Sequence, residues 1–306
     1  MTLPLAAVGY PPWSWDIVSD LQEMWAYPFM VNAFRAGTIV AVTAGVMGWF
    51  MVLRRQSFAG HTLAVVGFPG ASGAVLVGVS ATYGYFVFCL AAALVLAAIP
   101  RAGRGGGTEE SALTGTVQAF LLACGFLFTA LYKGLLGGTT SLLFGSFLGI
   151  TTRQVWVLLA VAAGVLALLV AIGRPLLFAS VDPDVAAARG VPTRLLSTAF
   201  LVLLGAAAAE TSQITGTLLV FALLVIPAAT AQVLTARPAL SLAVSVLLAV
   251  AVTWFGLTVA YYSPYPIGFY VTTFAFGAYL LARLGRLALN ALPGPRASGV
   301  ASGGAV

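Results

Sequence analysis

The fold class predicted by the sequence is all-α: a polytopic transmembrane helical bundle of about eight to nine spans. Three observations carry this. Charged residues are 7% of the 306 and hydrophobic residues 61%, whereas a soluble chain carries about 25% charged residues. The 14 Lys and Arg and the 8 Asp and Glu are too few to coat a soluble globule of this length. Second, the apolar residues fall in long unbroken runs, unlike the short alternating segments of a transmembrane barrel. Third, the basic residues stand singly or in pairs at the ends of those runs, as topology signals do. That placement, in spite of a net charge of +6, excludes a nucleic-acid surface.

The first segment, 1–27, contains no Lys or Arg and so lacks the basic region of a signal peptide. Within it, Trp13, Ile17, Leu21 and Trp25 recur every four residues opposite Asp16, Asp20 and Glu23. That spacing predicts an extracytoplasmic amphipathic helix lying in the membrane interface. The apolar runs follow at 28–52, 61–80, 83–100, 112–132, 154–174, 195–209, 214–235, 239–261 and 266–284, each near the length that crosses a bilayer. With the amino terminus outside, Arg54, Arg55, Arg101, Arg104, Arg174, Arg189, Arg194, Arg237, Arg283, Arg286 and Arg296 are cytoplasmic. Of the 14 basic residues, only Arg35, Lys133 and Arg153 fall elsewhere, as the positive-inside bias requires. The expected localisation is the plasma membrane, carboxyl terminus in the cytoplasm. The glycine-rich stretch 133–153 reads as an external loop that partly re-enters the membrane. The transmembrane domain is placed at 28–286, and the Gly-, Pro- and Ser-rich tail 287–306 reads as disordered.

Between the fifth and sixth runs stands SVDPDVAAARGVPTRLL. Asp182 has the character of an N-cap, Pro183 of the first helical residue, and Asp184 of a first-turn acid. Gly190 stops the helix after Arg189, and Pro192 lies beyond. Such a short capped cytoplasmic helix suits either docking to a partner or a plain connection.

Here the chain resembles the permease subunit of the zinc/manganese/iron-type metal ABC transporter family. The resemblance runs from about Tyr27 to Leu284. It is carried in order by PFMVNAFRAG, GWFMVLRRQSFAGHTLAVVGFPG, LLFGSFLGIT, DPDVAAARGVPTRLL and TGTLLVFALLVIPAATAQVLT. It implies the permease fold of the metal-chelate and vitamin importers, with 182–192 as the coupling helix (Asp182, Pro183, Asp184, Arg189, Gly190). The partners implied are a cytoplasmic ATP-binding subunit, an extracytoplasmic substrate-binding lipoprotein and a second permease, as a homo- or heterodimer in lipid. The chain itself is then not an enzyme and carries no cofactor, since ATP and magnesium belong to the ATP-binding subunit. Two departures stand out. Where the family writes Gly-Asp-x-x-x-His before Pro-Gly, this chain reads Gly60, His61 and Val65 before Pro69 and Gly70. Where the family writes LFGD, Ser146 replaces the acid.

Four polar residues are candidates for lining a translocation pathway or gate: His61, Glu210, Arg35 and Ser146. His61, the single histidine, is also the one candidate metal ligand, although a lone imidazole falls short of the three or four donors of a closed site. Glu210 heads the polar run ETSQ: buried, it is functional by default; solvated, it is an external loop residue. Arg35 either snorkels to the outer interface or faces a cavity and meets an anion. Met47 and Met51, one turn apart, read as packing, as do Cys89 and Cys124, which lack any CxxC spacing. No GxxxxGK[ST] phosphate loop occurs. A secondary transporter and a non-transporting scaffold are the alternatives, but the intramembrane charges of a proton relay are missing.

Overall fold

The computed structural model describes residues 16–98, 107–132, 142–145, 149–263 and 265–291. These form α1 (Ile17–Ala26), α2 (Pro28–Leu53), α3 (Ser57–Leu76), α4 (Ala81–Ala98), α5 (Gly107–Leu131) and α6 (Thr152–Val181). A short α7 (Pro183–Ala188) precedes α8 (Thr193–Thr215), α9 (Thr217–Leu234), α10 (Pro238–Tyr261) and α11 (Ile267–Ala291). Eight of the described helices are long and apolar enough to cross a membrane, and the apolar stretch Leu219–Leu234 of α9 is shorter. Each of the nine apolar runs thus becomes one helix. Starts are written locally: proline opens α2, α7 and α10, where its missing N–H costs nothing. Thr151 and Gln154 form a capping box at the head of α6.

Helix α2 is central. Trp49 donates its indole N–H to Ser241 of α10 at 3.0 Å, and Ser245 donates to the Gly45 carbonyl at 2.8 Å. From α9, Gln232 donates to the Trp49 carbonyl at 3.3 Å. Asn32 reaches the Ile150 carbonyl at 3.2 Å, tying α2 to the entry of α6. Buried side-chain hydrogen bonds of this kind hold helices together where lipid offers no hydrophobic drive. Small residues do the rest. A Cβ on Gly48 would run into the Leu224 backbone of α9, and Gly70 of α3 faces Gly84 of α4 so closely that a Cβ on either meets the other's carbonyl. Gly70→Val is therefore expected to lower the thermal unfolding temperature of the detergent-purified permease, overpacking costing about 1–3 kcal/mol or more. Gly164→Ala is the control, because nothing lies within 4 Å of the Cβ it would add. Equal unfolding temperatures for the two variants would contradict this account of the α3–α4 contact.

The sequence reading needs two amendments. The sixth span does not end at 209: α8 continues to Thr215, so Glu210 and its polar neighbours are helical and not a loop. The reason is local. Thr211, Ser212 and Thr215 donate their hydroxyls to carbonyls one turn back, at 2.7, 2.7 and 3.0 Å, which satisfies them without water. The reversal into α9 is made by Gly216 alone, at φ 72° and ψ 157°, backbone open essentially to glycine only. At the other end, α11 runs to Ala291, past the boundary placed at 286, because RLALNA is rich in helix formers; residues 292–306 lie outside the described residues. Most of the proposed re-entrant loop, 133–141 and 146–148, also lies outside them. Of its described residues, 142–145 are packed inward and 149–153 lead into α6. Tyr85 donates to the Leu142 carbonyl at 3.1 Å, and Leu142 rests on Ala71, Tyr85, Cys89 and Ala209. Gly145, at φ 79°, abuts the α8–α9 junction, so that a Cβ on Gly145 or on Gly216 would strike the other segment's backbone.

Candidate functional site

Apart from Arg35, the described candidate residues collect in two regions, one inside the bundle and one at the end where α2 finishes and α8 begins.

Inside the bundle, Glu210 is fully buried (0% exposed). Its position one turn from Ala207 and Ile214, both in the main core, turns it away from the face of α8 that packs on α4 through Gly205 and Ala209. Neither carboxylate oxygen has a hydrogen-bond partner. The hydroxyls beside it are spent on their own helix, and Gln213 is engaged by Thr82 of α4 at 3.0 Å. A carboxylate so placed is costly to keep. His61 lies in the first turns of α3, half-buried, its ring edge-on to Phe221 of α9 with centroids 4.8 Å apart. Its Nδ1 is buried and unpartnered. Farther along the same seam, Gly67 lets Ser212 of α8 and Thr217 of α9 approach α3, each about 3.4 Å from where a Cβ would stand. The Thr217 hydroxyl is buried and unpartnered as well. The α3–α9 seam thus holds two polar groups without protein partners, on His61 and Thr217, while Glu210 stands on another face of α8, beside Ala207 and Ile214 of the main core. No hydrogen bond or ion pair joins any two of Arg35, His61 and Glu210. Arg35 stands instead in a surface cleft with Trp25, Trp156 and Trp254. Ser146 lies outside the described residues. Among the described residues, no three His, Cys, Asp or Glu side chains group to hold a metal ion. Met47 and Met51 are fully buried, with the Met51 sulfur filling the space left by Gly60. Their packing role stands.

At the opposite end of α3 from Gly78, α7 is built as its sequence predicts. Asp182 is the N-cap, accepting from the Val185 N–H at 3.0 Å, with Pro183 at the first position. Gly190 leaves the helix at φ 78°. Ala186 is completely buried, anchoring the helix, while Asp184, Val185 and Arg189 are exposed. Beneath it lies a residue that composition offered only as a topology signal. Arg54, following α2, donates to Ser180 of α6 at 3.0 Å and to Ser197 of α8 at 2.7 Å. Its guanidinium lies 5.3 Å from the centre of the Phe200 ring. Arg54, Pro183, Thr193 and Arg194 line one pocket under α7. The fork of Arg54 therefore clamps the two helices that α7 connects, a geometry that lysine does not reproduce. The pair Arg54–Arg55 at a span end was visible in the sequence; the two serines that receive it were not.

Residues 26–286 match the model of the ABC 3 transport family. The manganese transport system membrane protein MntC of Halalkalibacterium halodurans is 27% identical over 215 residues, 70% of this chain and 73% of that protein. A probable metal transport system membrane protein of Treponema pallidum is 31% identical over 240 residues, 78% of this chain and 88% of that one. Among solved structures, PsaBC from Streptococcus pneumoniae in complex with Fab superposes with a TM-score of 0.77 at 24% identity, covering 87% of this chain and 95% of that one. An inward-facing conformation of a putative metal-chelate type ABC transporter gives 0.70 at 16% identity, with 90% and 92% covered. Both share the fold.

Proposed function

The chain belongs to the ABC 3 transport family, as the membrane permease of a metal importer, and on that premise we propose that its cargo is a divalent transition metal, manganese before zinc or iron. The observation that carries this reading is the match of the family model to nearly the whole membrane domain, joined to curated relatives whose names specify manganese. ATP hydrolysis belongs to a separate cytoplasmic subunit docked on α7, and cargo arrives from an extracytoplasmic binding protein. A second permease completes the pathway. The basic residues at the α7 end, among them Arg54, Arg55, Arg189, Arg194 and Arg237, support a cytoplasmic position for that end by the positive-inside bias.

Within this reading, the α3–α9 seam and the buried carboxylate of α8 serve the passing cation. His61 offers a neutral imidazole nitrogen, a borderline donor that suits Mn²⁺, Fe²⁺ and Zn²⁺. Glu210 offers the negative charge that the second span of this chain lacks. Neither is a closed site, which suits transit better than retention. The test is uptake into proteoliposomes holding the permease and its ATP-binding subunit, supplied with Mn²⁺, Zn²⁺, Fe²⁺ or a ferric chelate. Manganese uptake is expected to exceed the others. His61→Ala is expected to lower it by about tenfold, the scale of one lost metal contact, with His61→Asp retaining most of it. Uptake of the chelate in preference to the bare ions, with His61→Gln behaving as wild type, would replace the bare-metal reading by a chelate.

A further inference from the structure

A cleft lies on the surface of the bundle, away from the seam. α1, α2, α6 and α10 enclose a cleft of about 540 Å³ at the end of the bundle opposite α7. Arg35 stands within it, seven residues into α2 and so about 10 Å along the helix from Pro28. Its side chain is exposed and makes no ion pair or hydrogen bond with a described residue, and among the described residues no carboxylate lines the cleft. Around it stand Trp25, Trp156 and Trp254, exposed to 49, 66 and 43%.

The walls are fixed. Trp25 stacks on Phe34 at 5.5 Å, Phe34 meets Trp254 edge-on at 5.7 Å, and Trp254 donates its indole N–H to Thr38 at 2.9 Å. The Thr152 hydroxyl marks the end nearer the helix starts, while Ile39 and Leu159 lie a turn or more deeper along α2 and α6. The cleft therefore grades from a cation and hydroxyls to hydrocarbon in the direction in which a lipid does. Tryptophans gather at that depth of a bilayer. Three tryptophans alone would suit a quaternary ammonium; the guanidinium among them reverses the preference. An uncompensated arginine within a span is expensive unless an anion meets it, and its planar fork matches phosphate oxygens two at a time.

We propose that this cleft binds the phosphodiester headgroup of an anionic phospholipid, with Arg35 on the phosphate and an acyl chain along Ile39 and Leu159. The lipid then bridges the interfacial helix α1 to α2, α6 and α10. The proposal does not rest on which cargo is carried, and its test involves no transport. Full-length permease in mild detergent is incubated with phosphatidylglycerol or with phosphatidylcholine of the same acyl chains, and retained lipid is read by native mass spectrometry. Wild type is expected to retain phosphatidylglycerol about tenfold better, the scale of a charge-assisted contact. Arg35→Gln is expected to abolish the preference, Arg35→Lys to keep part of it, and Trp156→Ala to weaken retention of phosphatidylglycerol. Undiminished phosphatidylglycerol on Arg35→Gln, or equal retention of both lipids by wild type, would overturn the site. A shift by Arg35→Gln in the proportion of two-copy species, with lipid retention unchanged, would overturn it too and make the cleft a protein contact.

Discussion

Asp184→Arg combined with Arg189→Glu is expected to leave the permease inserted and folded while ATP-driven uptake falls about tenfold or more, since misplaced like charges at an interface cost several kcal/mol. Both side chains are exposed, and neither makes the contacts that hold α7 in place. Those belong to the Asp182 cap and to buried Ala186. Reversing the charge at each end of the exposed face therefore changes what a partner meets without removing a support. The measurement is co-purification of the ATP-binding subunit together with uptake by the reconstituted pair. Arg54→Lys gives an independent reading of the same region. It keeps the charge but loses the two-serine clamp, so the subunit is expected to bind while hydrolysis and uptake become uncoupled. Wild-type uptake by the double variant would remove α7 from the docking interface.

Glu210→Gln is expected to move stability and transport in opposite directions. Burying an ionisable side chain in a span without a partner is costly, on the order of 1–3 kcal/mol, and Glu210 has no described partner to offset that cost. Replacing the ionisable group should therefore raise the thermal unfolding temperature of the purified permease. If the carboxylate meets the cation in transit, the same change lowers manganese uptake by about tenfold or more, the loss of a ligand charge in an ion site. Glu210→Asp is expected to restore part of the uptake and none of the stability. The opposed signs separate a functional carboxylate from a structural one, because residues held for activity commonly cost stability. Unchanged uptake by Glu210→Gln would take the residue out of the pathway, and lowered stability would show that a partner holds it.

Much of this architecture was written in composition and in local signals. The nine apolar runs became nine helices because a bilayer leaves the backbone no alternative to internal hydrogen bonding, and that constraint acts on each segment separately. The α7 helix was legible for the same reason: Asp182, Pro183 and Gly190 do their work within a few residues of one another, so the order of residues alone specifies it. Ends were less legible. ETSQIT looked like a loop because polar residues in an apolar chain suggest water, yet three of its hydroxyls return to carbonyls one turn back, and a hydropathy pattern does not register such bonds.

The sequence by itself determined the class, the helices, the short capped helix α7 and the short inventory of unusual polar residues. Only the tertiary structure decided where those residues stand and what they meet. It placed Glu210 in the core without a partner and Arg35 on the surface among tryptophans, when their charges alone invited pairing. It turned Arg54 from a topology signal into a clamp between α6 and α8. It also gave Gly145 and Gly216, 71 positions apart by their numbers, one shared reason to lack side chains. The physical ground for this division is range. Helix formation and capping act over a turn or two, and burial in lipid acts on a segment as a whole. Whether a buried charge finds a counterion, or two backbones touch, depends on segments that meet only after the bundle has closed.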